Sequence, residues 1–349
     1  MPQDPPRKRS RWLPWLSTLT KVAVVALAVW LAVRLLAGVR WAEVAGRLES
    51  ARWPLLALAT LCLLARFAIW DVRWYLAMRR VERAPSLATG FFSLLASAAV
   101  NMVTPTIRLA GGLLRARYTA HGGAGGFGRA YGVVLFDQLA HNAVMTALSW
   151  AALVVMAFAL GRWRLAWVAL AAFAAAGVAL LLWMRRSGEA GGGRFAATLA
   201  RRAAAATGRM GKLLAHSHEA VEVFARLLAD QRLRWQVVGL GGCFFLLNAF
   251  AQWVVFRGFG AEVPMAVVVG AVSLGLAAGM LTGVPGGIGA TEAAMVASFA
   301  ALGVDRVDAA AGTLLYRGLH YAVVLAVGLP ALTTLELRTS LRRGRADAR

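Results

Sequence analysis

Long apolar runs separated by short basic segments dominate the chain. A helix that crosses a bilayer needs about 20 apolar residues, and runs near that length recur along the sequence. With 60% hydrophobic and 15% charged residues, the chain is too apolar for a soluble domain. The pattern predicts an all-α polytopic membrane protein. Its full spans are expected at about 20–38, 54–77, 130–160, 164–184, 235–257 and 308–336.

Two further apolar regions, about 87–120 and 265–303, do not resemble simple spans. Each is long enough for two short helices and is interrupted in its middle by proline and glycine. Non-helical backbone survives at membrane depth only where protein or a polar cavity covers it. We therefore expect two re-entrant hairpins. The second contains the stretch GVPGGIGATEAAM, whose half-helix, starting near Ile288, would present free N–H groups to an anion. The turn residues assigned to this site are Pro285, Gly286, Gly287 and Gly289.

The two hairpins resemble each other in sequence. NMVTPTIRLAGGLLRA and GMLTGVPGGIGATEAA both carry Met, an aliphatic residue and Thr, followed by Pro, small residues and a charge. Further along, VLFDQLAHNAV and LLYRGLHYAV each place an aromatic residue before a charged residue and a histidine. Inverted repeats with a substrate site at their interface are common in secondary transporters. The similarity therefore predicts an inverted repeat.

Basic residues determine the predicted orientation. If both hairpins return to their side of entry, the inner segments hold 25 Lys and Arg and the outer segments hold 7. The positive-inside rule then places basic tails at 1–19 and 337–349 in the cytoplasm, on either side of a transmembrane domain at 20–336. The cytoplasmic loop at about 187–234 has apolar residues at helical spacing between basic ones. This loop indicates helices on the inner leaflet or a solvated helical linker.

Cysteine and motif content exclude several chemistries. Cys62 and Cys243 both lie inside apolar runs, and no HExxH, phosphate-loop or paired-cysteine spacing occurs. We therefore expect no disulfide, no metal site and no cofactor. The net charge of +22 fits loops beside anionic lipid, so no nucleic acid partner is predicted.

Ionisable residues inside the apolar runs form the candidate binding site, because a charge at the bilayer centre costs at least about 2.5–3.5 kcal/mol. Glu292 with Arg317 is the predicted pair in one repeat, and Arg108 with Asp137 in the other. The arginines would hold a lipid phosphate; alternatively, both pairs are structural and lock the hairpins. Three residues near the inner end of the second span are interpreted as snorkelling or structural. These are Arg66, Asp71 and Arg73, while the predicted binding site also includes Arg115, His141 and His320.

The stretches NMVTPTIRLAGGLLRARYTA and VPGGIGATEAAMVASFAALGV, with the later AGTLLYRGLHY, resemble the lysylphosphatidylglycerol synthase transmembrane-region family. The resemblance covers about 20–336 and implies re-entrant hairpins and lipid translocation. Pro105, Arg108, Gly111 and Arg115 fit the family's first hairpin motif, but Gly112 stands where it has Glu. The family's Glu-Arg with a later Asp is here Asp137-Gln138 with His141. No aminoacyl-transfer domain is present in the sequence, so lysyl transfer is not expected.

The function expected from the sequence is that of a flippase in the bacterial inner membrane rather than an enzyme. It would bind an anionic or amphiphilic lipid, such as a phospholipid or a lipid-linked intermediate, and move it between leaflets. One alternative is a glycosyl- or acyltransferase acting on a lipid carrier, with Glu292 or His320 as the base. Another is a scaffold for a lipid-biosynthesis enzyme. Expected partners are membrane lipids, with a homo-oligomer or such an enzyme left open.

Overall fold

The computed structural model describes residues 40–81, 84–103, 109–120, 126–159, 161–164, 166–175, 178, 197–198, 201–202, 208–282 and 288–347. Regular structure within these ranges is helical. The helices are α1 (Trp41–Glu49), α2 (Trp53–Met78), α3 (Leu87–Val103), α4 (Leu109–Ala120), α5 (Phe127–Ala159), α6 (Ala166–Ala175), α7 (Gly208–Ala229), α8 (Gln231–Gly258), α9 (Met265–Thr282), α10 (Ala290–Ala301) and α11 (Arg306–Asp347).

Four helices in the described part of the chain, α2, α5, α8 and α11, are long and apolar enough to cross a membrane. They coincide with the second, third, fifth and sixth predicted spans. The predicted span at 20–38 lies outside the described residues, and that at 164–184 is described only in part, around α6. Helix α11 continues to Asp347, so the predicted basic tail at 337–349 begins as an extension of this helix.

The two interrupted regions each form a pair of short helices. Helix α3 has 17 residues and α4 has 12, and they pack against each other. Helix α9 has 18 residues and α10 has 12, and they also pack together. The chain enters α10 through Gly289, whose φ of 84° favours glycine. The start of α10 at Ala290 therefore lies two residues after the predicted start at Ile288.

Helices α2–α5 and helices α8–α11 contact each other through equivalent pairs. Helix α2 packs along α8, while α3 contacts α11 and α5 contacts α9. In the first set α3 packs on α4 and α4 packs on α5. In the second set α9 packs on α10 and α10 packs on α11. Buried Leu63, Phe256 and Phe299 contribute to the apolar cluster that joins α2, α8 and α10. The packing is therefore reciprocal between two sets of four helices.

Ion pairs and one backbone hydrogen bond connect helix ends that are far apart in the sequence. Arg47 pairs with Asp308 at 3.0 Å, and the Arg52 N–H donates to the Gly258 carbonyl at 2.8 Å. At other helix ends, Arg80 pairs with Asp230 at 3.3 Å and Arg117 with Glu336 at 3.1 Å. Each of these contacts joins segments that the basic-residue pattern assigns to the same side of the membrane.

Helix α7 lies in the predicted cytoplasmic loop. Its Val223 and Leu227 are buried in a cluster with Val133 and Phe136 of α5, whereas Met210 and Leu213 near its start are exposed. Close approach is possible because α5 carries glycine at the contact: a Cβ at Gly132 would lie 2.6 Å from the Ala220 carbonyl oxygen. The C-terminal half of α7 thus packs on the protein.

Close packing of α3 against α4 depends on Gly111, which has no Cβ at the contact. A Cβ at Gly111 would lie 2.4 Å from the Ser97 carbonyl oxygen, too close for any real contact. We expect Gly111→Ala to lower the free energy of unfolding by about 1–3 kcal/mol, as overpacking does. The thermal unfolding midpoint in detergent measures it. Gly242→Ala is the matched control, because a Cβ on this helical glycine meets nothing within 4 Å. Equal midpoints for the two variants would contradict the prediction.

Candidate functional site

Helix α2 carries a polar stripe through an otherwise apolar span. Arg66, Trp70 and Arg73 are spaced i, i+4 and i+7 and so share one helix face, while Asp71 and Trp74 occupy the adjacent face. Arg66 is 7% exposed, Arg73 1% and Asp71 2%. These side chains are therefore buried within the protein, which favours the structural interpretation over the snorkelling one. They instead contact charged and polar residues on α4, α5, α8 and α11.

The first ionic cluster forms around Asp137 of α5, which is almost fully buried. Its Oδ1 accepts from Arg73 Nε at 2.8 Å. Its Oδ2 accepts from Trp70 Nε1 at 2.8 Å and from Arg115 Nη1 at 3.1 Å. One carboxylate therefore holds two arginines from two different helices, a strongly charge-assisted arrangement.

Arg115 of α4 has a second carboxylate nearby. Its Nη2 lies 3.9 Å from Asp71 Oδ1, which is ion-pair distance but too long for a hydrogen bond. The guanidinium also lies over the Trp74 ring, 4.3 Å from its centroid. Within the described residues, Nε and Nη2 of Arg115 have no hydrogen-bond partner. The Arg115 guanidinium can therefore donate further hydrogen bonds while it remains paired with Asp137.

The second ionic cluster forms around Glu292, in the first turn of α10. Its Oε1 accepts from Arg317 Nε at 2.5 Å and from the Tyr321 hydroxyl at 2.7 Å. Its Oε2 accepts from the Gly289 backbone N–H at 2.7 Å, so the side chain also caps its own helix. Arg317 donates to the Tyr321 hydroxyl as well. The Glu292–Arg317 contact expected from the sequence is thus formed, with Tyr321 as a third member.

Arg66 extends towards the second cluster from α2. It donates to Asn248 Oδ1 of α8 through Nη1, and its Nη2 lies 2.5 Å from His320 Nδ1 of α11. Asn248 Oδ1 also accepts from the Tyr316 hydroxyl at 2.5 Å. Because a guanidinium only donates, the Nδ1 of His320 is the acceptor. Every described polar partner of Arg66 is therefore uncharged.

The histidines of the two halves occupy matching environments. His141 Nδ1 lies 3.0 Å from Arg73 Nη1, and its ring stacks on Trp70 with centroids 4.6 Å apart. His320 stacks on Phe67, with centroids 5.8 Å apart, beside Arg66. Helix α2 thus supplies one arginine and one aromatic ring to each histidine.

The structure brings the described members of the predicted site into these two clusters. Arg115, Asp137 and His141 belong to the first, and Glu292, Arg317, His320 and the Gly289 backbone to the second. The residues Arg108, Pro285, Gly286 and Gly287 lie outside the described part of the chain, so the predicted Arg108–Asp137 pair is not tested. Sequence reasoning missed Trp70, Asn248, Tyr316 and Tyr321, and gave Arg66 and Arg73 a peripheral place.

Gly112, where the family resemblance implies Glu, faces Gln138. A Cβ at Gly112 would lie 3.0 Å from Gln138 Nε2 and 3.3 Å from a Val134 methyl. Gln138 is also the position at which the resemblance implies Arg. The two positions at which the resemblance implies opposite charges therefore face each other, and both are uncharged in this chain.

The described residues contain no group of three or more His, Cys, Asp or Glu side chains that would hold a metal ion. The described site can bind a ligand through ionic contacts and hydrogen bonds, with arginine guanidinium groups as the charged donors. Fold and site together define an α-helical membrane protein with several apolar helices and ionic clusters buried between them.

The family model for the lysylphosphatidylglycerol synthase TM region matches residues 18–328 of this chain. The chain therefore belongs to this family. It is also similar to a UPF0104 membrane protein of Methanothermobacter thermautotrophicus, with 24% identity over 277 residues, which cover 76% of this chain and 80% of that protein. The resemblance stated from the sequence motifs is confirmed.

Proposed function

We propose that this protein moves an anionic or amphiphilic lipid, either a phospholipid or a lipid-linked intermediate, between the two leaflets. The observation that carries the proposal is the pair of buried arginine–carboxylate clusters around Asp137 and Glu292. Charged groups at membrane depth are costly and usually face a cavity, a substrate path or each other. Guanidinium groups match phosphate oxygens with two parallel hydrogen bonds.

The short helix pairs support re-entrant hairpins. At about 1.5 Å per residue, α4 and α10 with 12 residues each would be about 18 Å long, well short of an apolar core of about 30 Å. We propose that each pair enters and leaves the membrane on one side, α3–α4 from the cytoplasm and α9–α10 from outside. The reciprocal packing of α2–α5 against α8–α11 supports an inverted repeat. Six full spans and cytoplasmic termini in a bacterial inner membrane complete the proposed topology.

In the proposed mechanism the carboxylates keep the arginines neutralised while no lipid is bound. Glu292 holds Arg317, and Asp137 holds Arg73 and Arg115. An entering headgroup phosphate would accept hydrogen bonds from Arg115 or Arg317. The two clusters would thus provide one phosphate-binding position in each half of the protein. The lipid tails would stay in the bilayer beside the hairpins.

We propose a transporter rather than an enzyme. Glu292, a candidate base of an enzymatic mechanism, is held by Arg317, Tyr321 and the Gly289 N–H. His320 accepts from Arg66 at Nδ1. Groups engaged in this way are poorly suited to abstract a proton, and they are well suited to exchange one ionic partner for another.

The test is headgroup translocation by the purified protein in proteoliposomes, with lipids whose headgroup label is destroyed by an impermeant reductant. We expect the reductant-accessible fraction to rise above the outer-leaflet share for an anionic lipid, relative to protein-free vesicles. Vesicles containing heat-unfolded protein control for leakage. Failure to accelerate any phospholipid or polyprenyl-phosphate lipid, with folded protein present, would falsify the proposal.

A further inference from the structure

Arg66 differs from the other buried arginines in having no described counter-charge. Arg73 and Arg115 pair with Asp137, and Arg317 pairs with Glu292. No carboxylate in the described part of the chain lies within 4 Å of the Arg66 nitrogens, and the described hydrogen-bond partners are Asn248 and His320. Together the two clusters and Arg66 hold four arginines and three carboxylates, Asp71 included. Among the described residues, one buried positive charge is therefore unmatched.

The surroundings of Arg66 orient the guanidinium without neutralising it. The group lies 4.9 Å from the Phe67 ring centroid and 5.3 Å from that of Phe244, and these faces attract cations. Its Nε is buried and has no hydrogen-bond partner among the described residues. Aromatic faces and amide dipoles reduce the cost of this burial, but only an anion would balance the charge.

We propose that Arg66 is a binding site for one phosphate-bearing anion, between α2, α8 and α11. The proposal rests on the function proposed above and identifies the group that the headgroup phosphate would meet next to Arg317. The planar guanidinium fork of Arg66 would donate two hydrogen bonds to phosphate oxygens, from its unpartnered Nε and from a remaining N–H of a terminal nitrogen, while Asn248 and His320 hold the group in place. Two sources share this chemistry, the phosphodiester of an anionic lipid and a free phosphate ester. We favour the lipid because Arg66 lies in α2, a helix long and apolar enough to cross a membrane.

If Arg66 is an anion-binding site, the expected effect of Arg66→Gln on stability is opposite to the effect expected if Arg66 is structural. Removing an unmatched buried charge leaves the ligand-free protein at least as stable as the wild type, whereas removing a structural partner destabilises it. The experiment measures the thermal unfolding midpoint of the full chain in dodecyl maltoside micelles while phosphatidylglycerol is titrated in. Phosphatidylcholine, glycerol phosphate and inorganic phosphate are titrated in parallel.

For the wild type we expect a saturable rise in the midpoint with phosphatidylglycerol. Arg66→Gln should keep or raise the lipid-free midpoint and need at least about tenfold more phosphatidylglycerol for half its effect, the cost of losing a charge-assisted contact. Arg66→Lys keeps the charge but loses the fork, and should fall between the two. Arg257→Gln, which removes an exposed arginine, should respond to lipid like the wild type.

Two results of the unfolding experiment would overturn the site. One is a lower lipid-free midpoint for Arg66→Gln with an unchanged phosphatidylglycerol response; the other is an unchanged response in Arg66→Lys if Arg66→Gln does not fold. A midpoint rise with glycerol phosphate as large as that with phosphatidylglycerol would identify a soluble phosphate ester as the ligand and overturn the lipid assignment. The translocation assay keeps the two proposals apart. Lipid binding lost in Arg66→Gln without wild-type translocation supports the site and counts against the function, whereas equal translocation by both proteins counts against the site alone.

Discussion

Replacing Asp137 with Asn is expected to destabilise the protein more than any other single change in the first cluster. The carboxylate neutralises Arg73 and Arg115 and accepts from Trp70, and all of this occurs out of water. Asn would leave two buried guanidinium groups without a full negative charge. Breaking a buried ion pair by removing one partner costs about 3–5 kcal/mol, a large part of the about 5–15 kcal/mol that stabilises a typical native protein.

The measurement is the thermal unfolding midpoint in detergent, together with the fraction of monodisperse protein after size-exclusion chromatography. Glu262→Gln is the matched control, since it makes the same chemical change in an exposed pair with Arg257 at 2.9 Å. Exposed pairs are worth about 0–1 kcal/mol, so the control should unfold like the wild type. If Asp137→Asn and Glu262→Gln unfolded at the same midpoint, the first cluster would not stabilise the fold.

Hydropathy was enough to predict the long helices and not enough to predict their partners. A run of about 20 apolar residues favours a spanning helix by composition alone, and α2, α5, α8 and α11 were located for this reason. Breaks at Pro and Gly likewise predicted the short helix pairs, because these residues end helices locally. Both inferences need only neighbouring residues in the sequence.

One partner of Asp137 required information that no local pattern contains. The Arg108–Asp137 pair predicted by comparison of the two repeats lies outside the described residues, and Arg115, which does pair with Asp137, was part of the predicted site. The other described arginine partner, Arg73, is separated from Asp137 by 64 positions. Only the packing of α2 against α5 brings these residues together. A usable signal was nevertheless present: Arg66, Trp70 and Arg73 recur at helical spacing inside an apolar run, which indicates a buried polar face rather than snorkelling ends.

The second cluster was easier to predict because most of it is local. Glu292 lies in the first turn after a glycine-rich break, where a carboxylate commonly caps the helix. Tyr321 follows Arg317 by four residues and so lies on the same face of α11, a spacing that would have added it to the site. Arg66 and Asn248 come from other helices, and they become neighbours only when the two sets of helices pack.

Changing Arg317 to Lys is expected to slow headgroup translocation about ten- to a hundredfold, the range for losing about 1.5–3 kcal/mol of charged hydrogen bonding. Lysine keeps the positive charge that Glu292 needs at this partly buried pair, whose side chains are 12% and 9% exposed. It loses the fork that can hold a phosphate by two hydrogen bonds. Arg317→Ala should abolish translocation altogether. Reductant-accessible label in proteoliposomes reports the rate, and the unfolding midpoint reports whether the fold is kept.

A double variant separates a functional Arg317 from a purely structural ion pair. Arg317→Gln alone leaves Glu292 buried without its cation, whereas Glu292→Gln with Arg317→Gln replaces the pair by two neutral amides. Replacing both partners is often tolerated where removing one is not, so the double variant should unfold near the wild-type midpoint and above either single variant. If the pair only locks α10 to α11, recovered stability brings recovered translocation. Under the proposed function the double variant stays inactive although it is folded, because the guanidinium that receives the headgroup is gone.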